Sequence, residues 1–401
     1  MNCGRLSLIL LPTLRCNADC DYCFENKSSH VMSLDQFRII LEKVTDYMNQ
    51  MHVTDLTIFW QGGEVLTMDP DWFMRAMEII DKSSQSSGKN IVNELQTNLI
   101  GYSKKWNRVF KEMFNNDCGS SLDYPNLYRK VNGLPPDKFN ELWLRRYREA
   151  ASHGIGVGVI SLPNRATFKL GARPFYSYYM EEIGLGGFQV NVPFPGVSAD
   201  PSKPGLPIDI EECIIFACEL IDVWMEQGYS RGVRISPYRE ILDYFLTGSK
   251  SDLFCETLHD CSREFFSIGP DGSVSQCDCW VASYPEFHFG NVFECDGLTE
   301  IMNSNPRSLF SDRPVKLMER GECVECEYLA ICHGGCAIRA YSTCGDLFVK
   351  DPYCEMYKAM FKRLQETAVS LSRESGCPHY TDSSFNLDGT TKKNRSRSCN
   401  V

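Results

Sequence analysis

Six short β-rich runs alternate with helix-length stretches through the first half of the chain, and this alternation restricts the fold more than any other feature. The runs cover 6–11, 55–60, 91–96, 119–122, 155–160 and 188–193; the stretches cover 33–50, 71–84, 104–114, 136–153 and 173–183. Ser33-Leu34-Asp35-Gln36 is a capping box, and Pro70 suits the first turn of a helix. Six β-then-α units predict a parallel sheet with right-handed crossovers, open or curled into a partial (β/α)6 barrel of the TIM type. In such a sheet the chemistry belongs at the C-terminal ends of the strands.

Cysteine usage supplies the second constraint. There are 20 in 401 residues. No basic stretch followed by an apolar core and a cleavage site opens the chain, and 6–11 is too short to cross a membrane. A cytoplasmic protein is expected, with reduced thiols that hold metal rather than form disulfides. The net charge of −11 argues against a broad nucleic-acid surface, and no membrane partner is expected.

Cys16, Cys20 and Cys23 form a C-x3-C-x2-C loop directly after the first strand. Three thiolates can hold three irons of a cubic cluster and leave the fourth open to a cofactor. Zinc fits less well, since a structural zinc takes four ligands. Further polar groups fall at strand ends: Gly62, Gly63 and Glu64 after the second, Gln96 and Asn98 after the third, Ser121 and Asp123 after the fourth. From Cys255 to Cys354 the pattern becomes short hairpins and dense cysteine, a small α+β unit built on metal. Cys255, Cys261, Cys277, Cys323, Cys326, Cys332, Cys336 and Cys354 could close two four-thiolate sites, as clusters or as zinc. The expected division is 1–235 for the barrel, 236–372 for the cysteine-rich unit, and 373–401 as a disordered tail.

The cysteine loop, with Tyr22 before its last cysteine, resembles that of the radical S-adenosylmethionine superfamily. The resemblance covers most of 5–360. It implies that an open iron chelates S-adenosylmethionine, and that reductive cleavage yields a 5′-deoxyadenosyl radical that abstracts a substrate hydrogen. Gln61-Gly62-Gly63-Glu64 looks like the family's segment for the methionyl amino group, with Glu64 to receive the ammonium. Gln96-Thr97-Asn98 and Ser121-Leu122-Asp123 resemble segments that touch the ribose, the carboxylate and the substrate, and Arg129 is the expected carboxylate partner. Leu99 and Tyr124 stand where the family has glycine, which predicts added bulk near the pocket. The distal cysteines follow the pattern of the SPASM extension. That resemblance assigns Cys255, Cys261, Cys277 and Cys336 to one auxiliary [4Fe–4S] cluster and Cys323, Cys326, Cys332 and Cys354 to another, three clusters in all.

Within the family, 265–278 and Cys332-His333-Gly334-Gly335-Cys336 look like segments of anaerobic sulfatase maturases. Asp278 matches their substrate-side base. Cys279, and less so Cys118, could instead donate a hydrogen atom to a substrate radical. The expected activity is modification of a peptide or protein side chain: oxidation, crosslinking or epimerisation. Dehydrogenation or epimerisation of a sugar or aminocyclitol is the alternative, and a non-catalytic iron–sulfur carrier or scaffold is a third reading. A flavodoxin or ferredoxin is the expected reductant. The cluster loop starts at residue 16, which leaves no room ahead of it for a leader-binding domain. A peptide substrate is then expected to need a separate peptide-recognition protein or a short recognition motif.

Overall fold

The computed structural model describes residues 5–131, 133–192, 209–250 and 261–375. Seven strands run parallel and in chain order: β1 (Arg5–Leu10), β2 (Asp55–Trp60), β3 (Asn90–Thr97), β4 (Asp117–Ser121), β5 (Gly156–Ser161), β6 (Gly187–Val190) and β7 (Arg234–Ser236). Between them lie α1 (Leu34–Gln50), α2 (Pro70–Ser87), α3 (Asn107–Met113), α4 (Pro136–Ser152), α5 (Arg165–Leu170), α6 (Ala172–Ser177) and α7 (Ile210–Gln227). The capping box forms as its spacing requires. The Ser33 hydroxyl accepts from the Gln36 amide at 3.2 Å, and the Gln36 side chain accepts from the Ser33 amide at 2.9 Å.

Six barrel strands were expected, and among the described residues β7 adds a seventh ahead of the cysteine-rich unit. β7 is three residues long and begins with arginine, too short for any alternation to show. The division expected after residue 235 would fall inside it.

Beyond α8 (Tyr238–Thr247) and α9 (Cys261–Glu264), the hairpin of β8 (Phe265–Ile268) and β9 (Ser273–Ser275) turns at Gly269–Gly272 as expected. Then follow α10 (Asp278–Ser283) and β10 (Gly290–Asn291). β8 does not start a separate sheet. It pairs in parallel with β1, so one sheet runs β10-β9-β8-β1-β2-β3-β4-β5-β6-β7. The physical reason lies in β1, whose residues 6–8 and 10 are all buried. A strand of that kind belongs in a sheet interior, with a neighbour on each side. Glu264 reinforces the join by accepting from Ser7 Oγ and Arg5 Nε, both at 3.2 Å. The long helix Cys354–Ser375 returns to pack on α7 and α8.

The turn after β3 corrects one expectation. Leu99 is fully buried in the core, so its bulk does not reach the rim. Its φ of 65° is one that glycine adopts freely and a leucine does not. Leu99→Gly would relieve about 1–2 kcal/mol of backbone strain but remove a buried side chain worth about 2–5 kcal/mol. The expected result is a net loss of about 1–3 kcal/mol, read from denaturant melts. The ring of Tyr124 is likewise taken up, stacked on Tyr178 with centroids 3.5 Å apart.

Candidate active site

The loop after β1 and the loop after β2 are built against each other. Gly63 N–H donates to Thr13 C=O at 3.1 Å, and Glu64 N–H donates to Arg15 C=O at 2.8 Å. A Cβ on Gly62 would stand 2.3 Å from the Thr13 oxygen, and one on Gly63 would stand 2.4 Å from the Arg15 oxygen. The glycines therefore let backbone approach backbone next to Cys16. Gly63→Ala must push the cysteine loop aside, at a cost of about 1–3 kcal/mol. Anaerobic reconstitution should then give a weakened cluster signal from this loop in electron paramagnetic resonance, with helix content unchanged by circular dichroism.

Glu64 is buried, and its carboxylate ties the loops after β2 and β3 together. Oε1 accepts from Thr97 Oγ1 at 2.6 Å and from Leu66 N–H at 2.9 Å, while Oε2 accepts from Asn98 N–H at 2.6 Å. A carboxylate has about four acceptor sites, so Oε2 keeps one for a further donor. Asn98 in turn donates to Asn17 Oδ1 at 2.7 Å, with Cys16 Sγ 4.0 Å away. Gln96 donates to Ser121 Oγ at 3.2 Å, in the space that Gly119 leaves open. The ends of β3 and β4 and the cysteine loop thus meet at one rim.

A second correction concerns Arg129. Its Nε donates to Asp123 Oδ2 at 2.9 Å, and the Tyr22 hydroxyl donates to the same oxygen at 2.6 Å. Asp123 Oδ1 accepts from Leu162 N–H at 3.0 Å. The guanidinium lies 5.3 Å from the centre of the Tyr22 ring. Burial works against the Arg129 charge, and Asp123 with Tyr22 more than restores it. Backbone bonds from Asp19 to Lys130 and from Asp21 to Tyr128, both 2.9 Å, complete the clamp. Arg129 and Asp123 therefore hold the cysteine loop from behind.

Among the described cysteines none forms a disulfide. Burial pushes Cys16 and Cys20 above the ordinary thiol range and Cys23 up to about 11. Bare thiolates would be costly there, whereas a bound metal deprotonates such groups outright. Three half-buried thiols on one loop fit an iron–sulfur site. In the distal unit Cys323, Cys326, Cys332 and Cys354 line a single cavity of about 350 Å³ with Tyr328, Tyr357 and Phe361. Four converging thiols suit a closed site. The resemblance assigns Cys261, Cys277 and Cys336 to the other set, and Cys255 lies outside the described residues. His333, Gly334 and Gly335 all have positive φ, which folds the chain tightly between Cys332 and Cys336.

The SPASM iron–sulfur cluster-binding domain family matches residues 260–332. A cysteine-type anaerobic sulfatase-maturating enzyme of Clostridium perfringens strain 13 is 25% identical over 372 residues, covering 89% of this chain and 95% of the relative. A serine-type anaerobic sulfatase-maturating enzyme of Bacteroides thetaiotaomicron is 25% identical over 366 residues, covering 82% of each. The solved structure of native anSMEcpe with bound AdoMet and the Cp18Cys peptide superposes with a TM-score of 0.76 at 22% identity, covering 92% of this chain and 99% of that one. Along most of its length the chain is similar to anaerobic sulfatase-maturating enzymes, and its distal part carries a SPASM iron–sulfur cluster-binding domain. Among its described residues no helix is long and apolar enough to cross a membrane.

The SPASM domain brings Asp278 to the barrel rim. Burial raises the pKa of its carboxylate, and the Cys279 amide and the nearby Gln61 side chain, just after β2, pull it back. Glu25, two residues past Cys23, is buried nearby. Burial and then the Asp278 charge push its pKa up to about 8. Sequence reasoning left out Gln61 and Glu25. Gln61 was signalled as the first residue of Gln61-Gly62-Gly63-Glu64, but Glu25 carried no signal.

The two hydrogen-donor thiols fare differently. Cys118 shares a face of β4 with Ser120, whose hydroxyl accepts from Trp143 of α4 at 2.9 Å. That face meets the helix layer, so Cys118 is turned away from the barrel interior where Ser121 points. Cys279 is buried, with Sγ within 4.8 Å of Cys277 Sγ and a carboxylate oxygen of Asp278. Its closest company is the auxiliary site.

Proposed function

We propose that this protein matures a peptide or protein by oxidising or crosslinking a side chain. The observation that carries the reading is Asp278. A carboxylate of the SPASM domain lies close enough to Gln61 on the barrel rim, and to Glu25 two residues past the cysteine loop, for each to act on the other's charge. A half-buried carboxylate there, its pKa raised by burial, can take the proton that leaves when a substrate radical is oxidised. Both curated relatives named above are sulfatase-maturating enzymes, which supports a polypeptide substrate.

In this reading Cys16, Cys20 and Cys23 hold the first cluster, and Gly62, Gly63, Gln96, Asn98 and Ser121 border S-adenosylmethionine. When bound, that pair supplies the 5′-deoxyadenosyl radical. Tyr22, Asp123 and Arg129 fix the loop, and Glu64 fixes the two neighbouring loops. Cys255, Cys261, Cys277 and Cys336 would hold one auxiliary cluster and Cys323, Cys326, Cys332 and Cys354 another, which would supply a sink for the electron released by the substrate; a flavodoxin or ferredoxin would supply the reducing electron.

The test is anaerobic reconstitution, reduction with dithionite, and mass spectrometry of peptides containing a cysteine or serine. Formation of 5′-deoxyadenosine in step with a peptide mass change supports the reading, as does loss of both in Cys16→Ala. Asp278→Asn should keep cleavage of S-adenosylmethionine and lower peptide modification by about 10²-fold or more. Cleavage that no peptide couples to, but that a sugar or aminocyclitol does, would overturn it.

A further inference from the structure

Arg313 is a buried cation with an unusual set of partners. It opens the short helix Arg313–Glu319 and is 4% exposed. Nε donates to Leu347 C=O at 2.8 Å, Nη1 to Gly335 C=O at 3.0 Å, and Nη2 to Gly334 C=O at 3.0 Å and Val349 C=O at 2.9 Å. All four acceptors are backbone carbonyls, and among the described residues Arg313 forms no ion pair. An unpaired buried guanidinium is costly to a fold. The charge must be met by something further away.

The negative groups that act on it are Cys336, Asp351, Cys261 and Cys332, in that order of strength. Burial lowers the Arg313 pKa, and these four push back. Asp351 is committed elsewhere, to Arg339, in an ion pair that is 1% exposed on each side. What remains is thiols, and they are drawn from both auxiliary sets: Cys261 and Cys336 from one, Cys332 from the other. The Gly334 and Gly335 carbonyls that Arg313 holds lie on the tight loop between Cys332 and Cys336. A Cβ on Gly334 would stand 3.2 Å from Arg313 Nη1, so the approach is as close as glycine allows.

We propose that Arg313 is the shared counter-charge of the two auxiliary clusters and raises the reduction potential of both. The inference rests on the two-cluster reading given above. Four thiolates leave such a cluster net negative, and reduction adds one more negative charge. A fixed cation held between the two sites, with Asp351 already paired to Arg339, favours the reduced state of each. It would keep both clusters ready to receive an electron from the substrate rather than to lose one.

The full chain is reconstituted anaerobically as wild type, Arg313→Met and Arg313→Lys. Iron and sulfide are counted, and the clusters are titrated with electron paramagnetic resonance as the readout. Iron for one cluster in the wild type would sink the two-cluster reading itself. With three clusters loaded, Arg313→Met should lower the reduced-to-oxidised ratio of both auxiliary clusters about tenfold at fixed potential, or ~59 mV for one electron. The first cluster should not move, and Arg313→Lys should stay near wild type. Unchanged auxiliary potentials in Arg313→Met, or an equal shift in Arg313→Lys, would refute the proposal. If Arg313→Met fails to load, Arg313→Lys decides. Loading with wild-type potentials upholds the charge as the cause, and failure like Met refutes it.

Discussion

Asp351→Ala should strip iron from both auxiliary sites while leaving the first cluster in place. Asp351 is 2% exposed, and its carboxylate has four donors. Oδ2 accepts from Cys336 N–H at 2.7 Å and from Arg339 Nε and Nη2 at 2.9 and 2.8 Å; Oδ1 accepts from Tyr353 N–H at 2.8 Å. Its own C=O accepts from the Cys354 amide at 2.9 Å. Alanine keeps that carbonyl, but an Arg339 left without its carboxylate would shift the loop that carries it, so the change reaches a ligand assigned to each site. Alanine would leave the Arg339 charge without its carboxylate in the interior, a loss of about 3–5 kcal/mol. Iron per chain should fall to the share of one cluster, and the thermal transition of the SPASM domain should drop. Asp351→Asn keeps an acceptor for Tyr353 and should be milder. Full iron content in Asp351→Ala would show that this carboxylate does not organise the sites.

Asp123→Ala should do the reverse. It removes the acceptor shared by Tyr22 and Arg129 and leaves Arg129, 8% exposed, without its ion partner. The local cost is again about 3–5 kcal/mol. It falls on the clamp behind Cys20 and Cys23, so the first cluster should load poorly and both auxiliary clusters should load fully. A shift of about 1 Å in a reacting group can cost roughly 10²-fold in rate. Formation of 5′-deoxyadenosine should therefore fall at least about 10²-fold even per loaded cluster. Tyr22→Phe loses one hydrogen bond of the clamp, about 1 kcal/mol, and should remain active. Asp123→Ala with wild-type 5′-deoxyadenosine output would exclude the clamp. Together the two variants separate the machinery that starts the radical from the machinery that receives the electron.

Much of this was legible in the residues because the signals were local. Strand and helix periods placed β1 to β6, and each polar segment was read at a strand end, where the structure puts it. What escaped was non-local or directional. The pairing of β8 with β1 joins residues about 250 positions apart and leaves no trace in either strand. The side chain of Glu64 turns inward because three donors from the neighbouring loops await it, and no spacing reveals that. Leu99 keeps a left-handed backbone although its side chain disfavours it, because burial outweighs strain. Cys118 was decidable in advance. The period of two along β4 sets it with Ser120 and against Ser121, and the alternation was not followed through.

The join between β1 and β8 also bears on how the polypeptide survives before it is complete. β1 leaves the ribosome early as an apolar strand, and its second neighbour is made about 250 residues later, within a unit built around cysteine sites. Until that unit closes, one edge of β1 offers unpaired N–H and C=O groups to any other chain. Iron supply then governs the solubility of the newly made protein as well as its chemistry. Chains starved of iron should accumulate as aggregates through this edge, while their α1 and α2 layer is already folded.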